Sequence, residues 1–116
     1  GKNARQFIVT IGGVVYDTAI RQEGSRTKWL PFDGAWQQAT QIRADGWSAE
    51  IRLPWADLGL KKAPPAGQVM GFNLSRLRRP KAVAPATESP FEYAYWAVLF
   101  GPNTLVPRFG SLILAE

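Results

Sequence analysis

An acid–base pair of the kind that hydrolyses glycosides needs two carboxyl groups about 5–10 Å apart across a cleft. Asp17, Asp33, Asp45, Glu50, Asp57, Glu88 and Glu92 carry the side chains from which such a pair would be drawn. Asp33 and Asp45 each precede a glycine, and Asp-Gly is turn chemistry. Glu50 falls on the polar side of an alternating run. Spacing marks no two of these residues as a pair. The chain contains no histidine and no cysteine, which removes the commonest general base, the commonest transition-metal ligand and all thiolate chemistry. It has no Gly-x-Ser-x-Gly elbow, phosphate-binding loop or dinucleotide fingerprint. Calcium takes six to eight oxygens, often from a DxDxDG cluster, and no such cluster is written here. The expectation is a protein that is not an enzyme and has no cofactor.

The remaining chemistry is that of aromatic rings and planar polar groups. A pyranose stacks its apolar face on a ring, while amides and hydroxyls take its hydroxyl groups. Five tryptophans, six phenylalanines and three tyrosines make rings plentiful. The net charge of +5 could serve an anionic partner. Its residues are spread out, however, apart from Arg76, Arg78, Arg79 and Lys81, and no helical reading motif accompanies that cluster. Neither a nucleic-acid partner nor a membrane partner is expected, the latter because no apolar run approaches spanning length.

The elements that must position these groups read as strands. The 116 residues fit one domain, and 46% hydrophobic with 20% charged residues is ordinary for a folded one. Turn signals recur about every ten residues, which favours an all-β chain. The strongest is Asp45-Gly46, an Asp-Gly pair of the type I′ kind, between two alternating runs. A two-residue turn there pairs Ala44 with Trp47, Ile42 with Ala49 and Thr40 with Ile51. Ile42, Ala44, Trp47, Ala49, Ile51 and Leu53 then share one face, and Gln41, Arg43, Ser48, Glu50 and Arg52 the other. Pro54 stops the second strand, and Pro54 to Gly59 reads as one helical turn closed by glycine.

Towards the N-terminus, Phe7 to Ile11 has apolar residues on both faces, as an interior strand would. Gly12-Gly13 turns the chain into a return strand from Val14 to Ile20. Residues 21–28 are polar and read as a loop, and Trp29-Leu30-Pro31-Phe32 as an apolar patch that either folds over the core or presents an aromatic ring to a ligand. Further on, Val69 to Leu77 reads as a single strand, with Met70, Phe72 and Leu74 on one side and Gly71, Asn73 and Ser75 on the other. Met70 is the only methionine and reads as a core residue. Residues 78–90, with three prolines, form an exposed loop. Phe91 to Phe100 is an aromatic strand and Phe109 to Leu114 the closing one. The sum is about seven strands and one short helical turn.

GWSAEIRLPWADLGL, then a Pro/Gly loop, GFNLSRLRR, the aromatic strand YAYWAV, and PRFGSLIL near the end together resemble the later part of a family 9 carbohydrate-binding module-like domain. QFIVTIGGVVYDT resembles the strand pair that precedes them. The resemblance implies an antiparallel β-sandwich over residues 1–116, in a shortened form or as the later part of the domain, with its opening strands unmatched. It implies a second chain or a missing segment to complete the sheet, an extracellular or cell-surface location with the periplasm as the alternative, and an oligo- or polysaccharide partner. It also brings a structural calcium into view, with no ligands assigned. Arg76 shares a face with Phe72 and Leu74 and should approach the core; in this family an acidic residue at the position of Glu92 accompanies that arginine, so a structural ion pair is expected, with a ligand contact as the alternative. Asn73 and Ser75 match positions on the concave ligand face, and with Asn103 they would supply hydrogen bonds. Trp96 is the ring to test for stacking, with a core role as the equal alternative. Ile8 stands where a sugar-binding member has arginine, and residues 101–106 lack the clamp's aromatic ring. The alternative is a structural or protein-interaction sandwich that keeps the fold without the sugar site.

Overall fold

A computed structural model describes residues 2–79, 92–97 and 109–115. Its strands and sheets are antiparallel and the one helical element among the described residues is a single 3₁₀ turn, so the chain is all-β as expected. Nine strands are present among the described residues, against about seven foreseen: β1 (Lys2–Val9), β2 (Val15–Glu23), β3 (Arg26–Leu30), β4 (Gln37–Arg43), β5 (Gly46–Arg52), β6 (Val69–Phe72), β7 (Ser75–Arg78), β8 (Glu92–Tyr95) and β9 (Gly110–Ile113). They fall into two compact units, Gly1–Pro65 and Ala66–Glu116.

In the first unit, β1, β2 and β3 form a sheet in that order. The polar stretch 21–28 is therefore not a loop. β2 continues to Glu23, turns on Gly24-Ser25 and returns as β3, with Glu23 opposite Arg26. Gly24 has φ +59°, the positive value a two-residue hairpin turn requires at its first centre. The polar residues belong to a strand because their burial alternates. Ile20 and Gln22 are buried while Arg21 and Glu23 are exposed. Buried Gln22 is satisfied locally, donating to Gly24 O at 3.0 Å and accepting from Thr27 Oγ1 at 2.9 Å. Trp29 and Leu30, expected in a loop, end β3 opposite Ile20 and Ala19. The interior strand is β2, not the Phe7 strand, which pairs among the described residues only with β2. The apolar core of this unit centres on Ala19 and Ile20, the latter 2% exposed.

The β4–β5 hairpin forms with a register that differs from expectation by two residues. Its turn is Ala44-Asp45, and Gly46 is the first residue of β5, opposite Arg43, without a positive φ. Ile42 faces Trp47, Thr40 faces Ala49 and Gln38 faces Ile51. This arrangement places the two large apolar side chains directly across from each other, where an aromatic and a β-branched residue stabilise the pair. A shift of two residues, unlike one of one, leaves every side chain on its expected face. The Gln38 and Thr40 face leans on the β1–β2 turn, where Gln38 Nε2 donates to Gly13 O at 3.0 Å. The 3₁₀ turn Trp55–Leu58 follows Pro54 and is closed by Gly59 at φ 78°, as foreseen.

In the second unit the run from Val69 onward is two strands rather than one. β6 pairs with β9 and β7 pairs with β8. The break lies at Asn73-Leu74, where the chain exchanges one partner for the other. Continuity across it depends on the Asn73 side chain.

Candidate functional site

Asn73 is half-buried between β6 and β7. Its Oδ1 accepts the Ala97 N–H at 2.9 Å and the Leu74 N–H at 3.0 Å, and its Nδ2 donates to Ala97 O at 3.5 Å. The register of β7 on β8 pairs Ser75 with Tyr95, and the Trp96 N–H then donates to Leu74 O at 2.8 Å. The next rung would pair Asn73 with Ala97. The Asn73 amide fills that rung, offering a carbonyl and an N–H as a peptide unit does. A side-chain amide has this capacity, and Asn readily bonds neighbouring backbone in this way.

Trp96 follows β8 directly and is 57% exposed. Its indole packs edge-on to Phe72, with centroids 5.7 Å apart and planes at 61°. It also lies against Gly110, where an added Cβ would stand 2.5 Å from Cζ3 and 3.1 Å from Cη2. The ring is therefore supported from beneath by a residue that must lack a side chain, while more than half of it faces solvent. Ser75 is exposed on β7 opposite Tyr95, so it borders the tyrosines of β8, whereas Trp96 rests on Phe72 and Gly110. Asn103 lies outside the described residues, as do Glu88 and the 101–106 segment.

The Arg76–Glu92 ion pair is replaced by another. Arg76 is exposed and opposite Ala94, whereas Glu92 is opposite Arg78 and pairs with it at 3.7 Å. The strand break at Asn73-Leu74 is the physical reason. β7 is a ribbon strand whose side chains are all exposed, so Arg76 is not driven into an apolar interior and needs no buried partner.

Two of the candidate carboxylates do converge, far apart in sequence but both on the segment that follows Phe32. Asp17 Oδ2 accepts the Gly34 N–H at 2.9 Å and the Trp36 indole N–H at 2.8 Å. Asp57, 7% exposed, accepts the Ala35 N–H on Oδ1 at 3.2 Å. Its Oδ2 is buried without a hydrogen-bond partner, close to where a Gly34 Cβ would be. Phe32 and Trp36 close over Phe7, with centroids 6.1 and 5.3 Å from it, and the Arg5 guanidinium stacks 4.7 Å from the Phe32 centroid. The carboxylates thus fasten the backbone of Gly34 and Ala35 and the indole of Trp36 to the sheet and to the 3₁₀ turn. Nothing in their spacing signals this, because the tether is made by tertiary placement; only the Asp-Gly at 33–34 marked a turn there. Among the described residues no three side chains of the His, Cys, Asp or Glu kind gather into a metal-ligand set. Two of the four oxygens of the Asp17–Asp57 pair, Asp17 Oδ2 and Asp57 Oδ1, already take N–H donors, and two carboxylates fall short of the six to eight oxygens calcium needs.

Glu23 has a lowered carboxylate titration. The hydrogen bond from Lys28, 2.6 Å away, holds it below the usual carboxylate range.

Comparison of the chain with protein-family models, with curated proteins and with solved structures finds no match.

Proposed function

We propose that the chain is a non-catalytic carbohydrate-binding module. One observation carries this reading: Trp96 is held by Phe72 and Gly110 yet remains 57% exposed. A fixed, solvent-facing indole is a surface on which the apolar face of a sugar ring gains stacking and desolvation together. The composition agrees, since a chain without histidine or cysteine has few groups for general-base or nucleophilic work. The motif resemblance points to the same class and to an extracellular or cell-surface setting. On this reading Ser75 and Asn103 offer polar contacts, and Asn73 offers at most the amide proton that its backbone role leaves over. No calcium ligand set is assigned.

Titration with short neutral oligosaccharides at millimolar concentration, followed by tryptophan fluorescence, tests the proposal. Wild-type protein is expected to respond, and Trp96→Ala to lose the response while remaining folded. The absence of any response from folded wild-type protein would refute it.

A second reading, a protein-interaction domain, is favoured by the β4–β5 hairpin. Ile42, Trp47 and Ile51 share one face there and all stay exposed, and exposed apolar groups of this size mark association surfaces when they are contiguous. Concentration-dependent association, abolished by Trp47→Ser without loss of fold, would favour it.

A further inference from the structure

The β2–β3 hairpin gathers basic residues that lie apart in the sequence. Lys28 on β3 is directly opposite Arg21 on β2. Arg26 is opposite Glu23, and Arg5 on β1 is opposite Ala19, so each lies diagonally across from Arg21. Alternation puts Asn3, Arg5, Arg21, Glu23, Arg26 and Lys28 on one face of the sheet. Opposed side chains on such a face start about 4.5–5.5 Å apart and diagonal ones about 7–8 Å. Arg5, Arg21, Arg26 and Lys28 thus surround a single acid among these positions.

That acid is already engaged, since Glu23 pairs with Lys28 at 2.6 Å. Arg21 and Arg26 are exposed and form no hydrogen bond or ion pair among the described residues. Arg5 is half-buried with its guanidinium stacked on Phe32, which fixes its charge at the border of the group. Like charges directly opposite each other destabilise a ladder, and Arg21 opposite Lys28 is such a pair. Local rules of this kind are broken where residues serve function. Each free guanidinium holds its N–H donors in a planar fork, the geometry that takes a carboxylate or a sulfate with two parallel bonds.

We propose that this face of the β1–β2–β3 sheet binds an acidic polysaccharide, with Arg21 and Arg26 each taking a carboxylate or sulfate of the chain. Asn3, exposed and opposite Arg21, offers its amide to the sugar hydroxyls beside them. The proposal goes beyond the Trp96 reading and does not rest on it: the ligand is anionic and the residues belong to the first unit, whereas Trp96 belongs to the second. Charge complementarity selects an anion. No aromatic ring stands among the six positions, so the stacking platform used for single-stranded nucleic acid is missing from them. Two forks at diagonal spacing suit a chain that repeats its charge, and an amide beside them suits one that also carries hydroxyls.

The full chain is titrated by calorimetry with hexagalacturonate as the carboxylate source and a heparin hexasaccharide as the sulfate source. Hexaglutamate and a short DNA duplex are the competing polyanions. At least one acidic hexasaccharide is expected to bind, less tightly as salt is added. Arg21→Gln and Arg26→Gln are each expected to weaken it about tenfold, and Arg21→Lys, which keeps the charge and loses the fork, about threefold. Arg43→Gln, on the β4–β5 hairpin, should leave it unchanged. Arg21→Thr should weaken binding while raising the urea midpoint, because it also removes the like-charge pair, an outcome that a merely structural role for Arg21 does not give. The guanidinium Nε–Hε signals of Arg21 and Arg26 in the wild-type protein should shift on addition of the same hexasaccharide, a readout that needs no variant to fold. Equal weakening by Arg43→Gln, or an absence of shifts at both guanidiniums, would show that net charge alone attracts the ligand and would overturn the proposal. Tighter binding of hexaglutamate or of the duplex would assign the face to a peptide or a nucleic acid and overturn it as well. Failure of the wild-type protein to bind either acidic hexasaccharide would overturn it without touching the Trp96 reading, which the neutral sugars test.

Discussion

Replacing Asn73 with alanine removes the side chain that bridges two strands. The Ala97 N–H, half-buried, loses its acceptor at 2.9 Å, and the exposed Leu74 N–H loses one at 3.0 Å. Water replaces the partner of Leu74 at little cost. A partly buried N–H left without an acceptor costs about 1–3 kcal/mol, and a solvent-compensated hydrogen bond about 0.5–1.5 kcal/mol. The expected loss at this junction is about 2 kcal/mol, or about 30-fold in the opening equilibrium of the β7–β8 ladder. Asn73→Asp keeps an oxygen for both N–H groups. It gives up only the long Nδ2 contact to Ala97 O at 3.5 Å, and brings a carboxylate towards that carbonyl. About 1 kcal/mol is expected there. Amide hydrogen exchange read at Ala97 and Trp96 is the direct assay. Protection at Ala97 should fall about 30-fold in Asn73→Ala and be largely kept in Asn73→Asp. Unchanged protection at Ala97 in the alanine variant would refute the reasoning, and would free Asn73 for a role towards a ligand.

Three further outcomes follow from the first unit. Gly34→Ala places a Cβ 2.8 Å from Asp57 Oδ2 and 3.0 Å from Phe32 Cε1, and overpacking of this kind should lower the unfolding free energy by about 1–3 kcal/mol in urea titration. Asp17→Ala strips the acceptor from the Gly34 N–H and the Trp36 indole N–H, at about 2–3 kcal/mol, whereas Asp17→Asn, which retains an oxygen, should cost about half of that in the same titration. Glu23 has its titration lowered in the folded state, first by the Lys28 hydrogen bond. Its small stabilising contribution is therefore present above the ordinary carboxylate range and lost as pH falls through the folded value. A carbon-13 NMR titration should show that displacement reduced in Lys28→Met and in high salt.

The all-β class was legible from punctuation and alternation. Glycine and proline fix the turns at Gly12-Gly13, Pro54 and Gly59 because of what their backbones allow, whatever surrounds them. The faces of the β4–β5 hairpin were legible as well, since a period of two survives the shift that moved the turn from Asp45-Gly46 to Ala44-Asp45. The register itself was not, because it depends on the preference of Ile42 for Trp47 across the strands, an interaction between residues rather than a property of either. Residues 21–28 were misread for a related reason. Polar residues make a strand when one face is solvated and the buried Gln22 finds partners in Gly24 and Thr27.

The candidate site divides in the same way. The sequence by itself determined that the chain has no histidine or cysteine and is rich in aromatic rings. It also determined the alternation that places Tyr93 with Tyr95. Only the tertiary structure decided that Asn73 serves the ladder, that Glu92 pairs with Arg78 in place of Arg76, and that Asp17 and Asp57 meet on one loop. Alternation is carried by each strand alone, whereas partners are set by which strands lie side by side, and that choice is made by the folded chain as a whole.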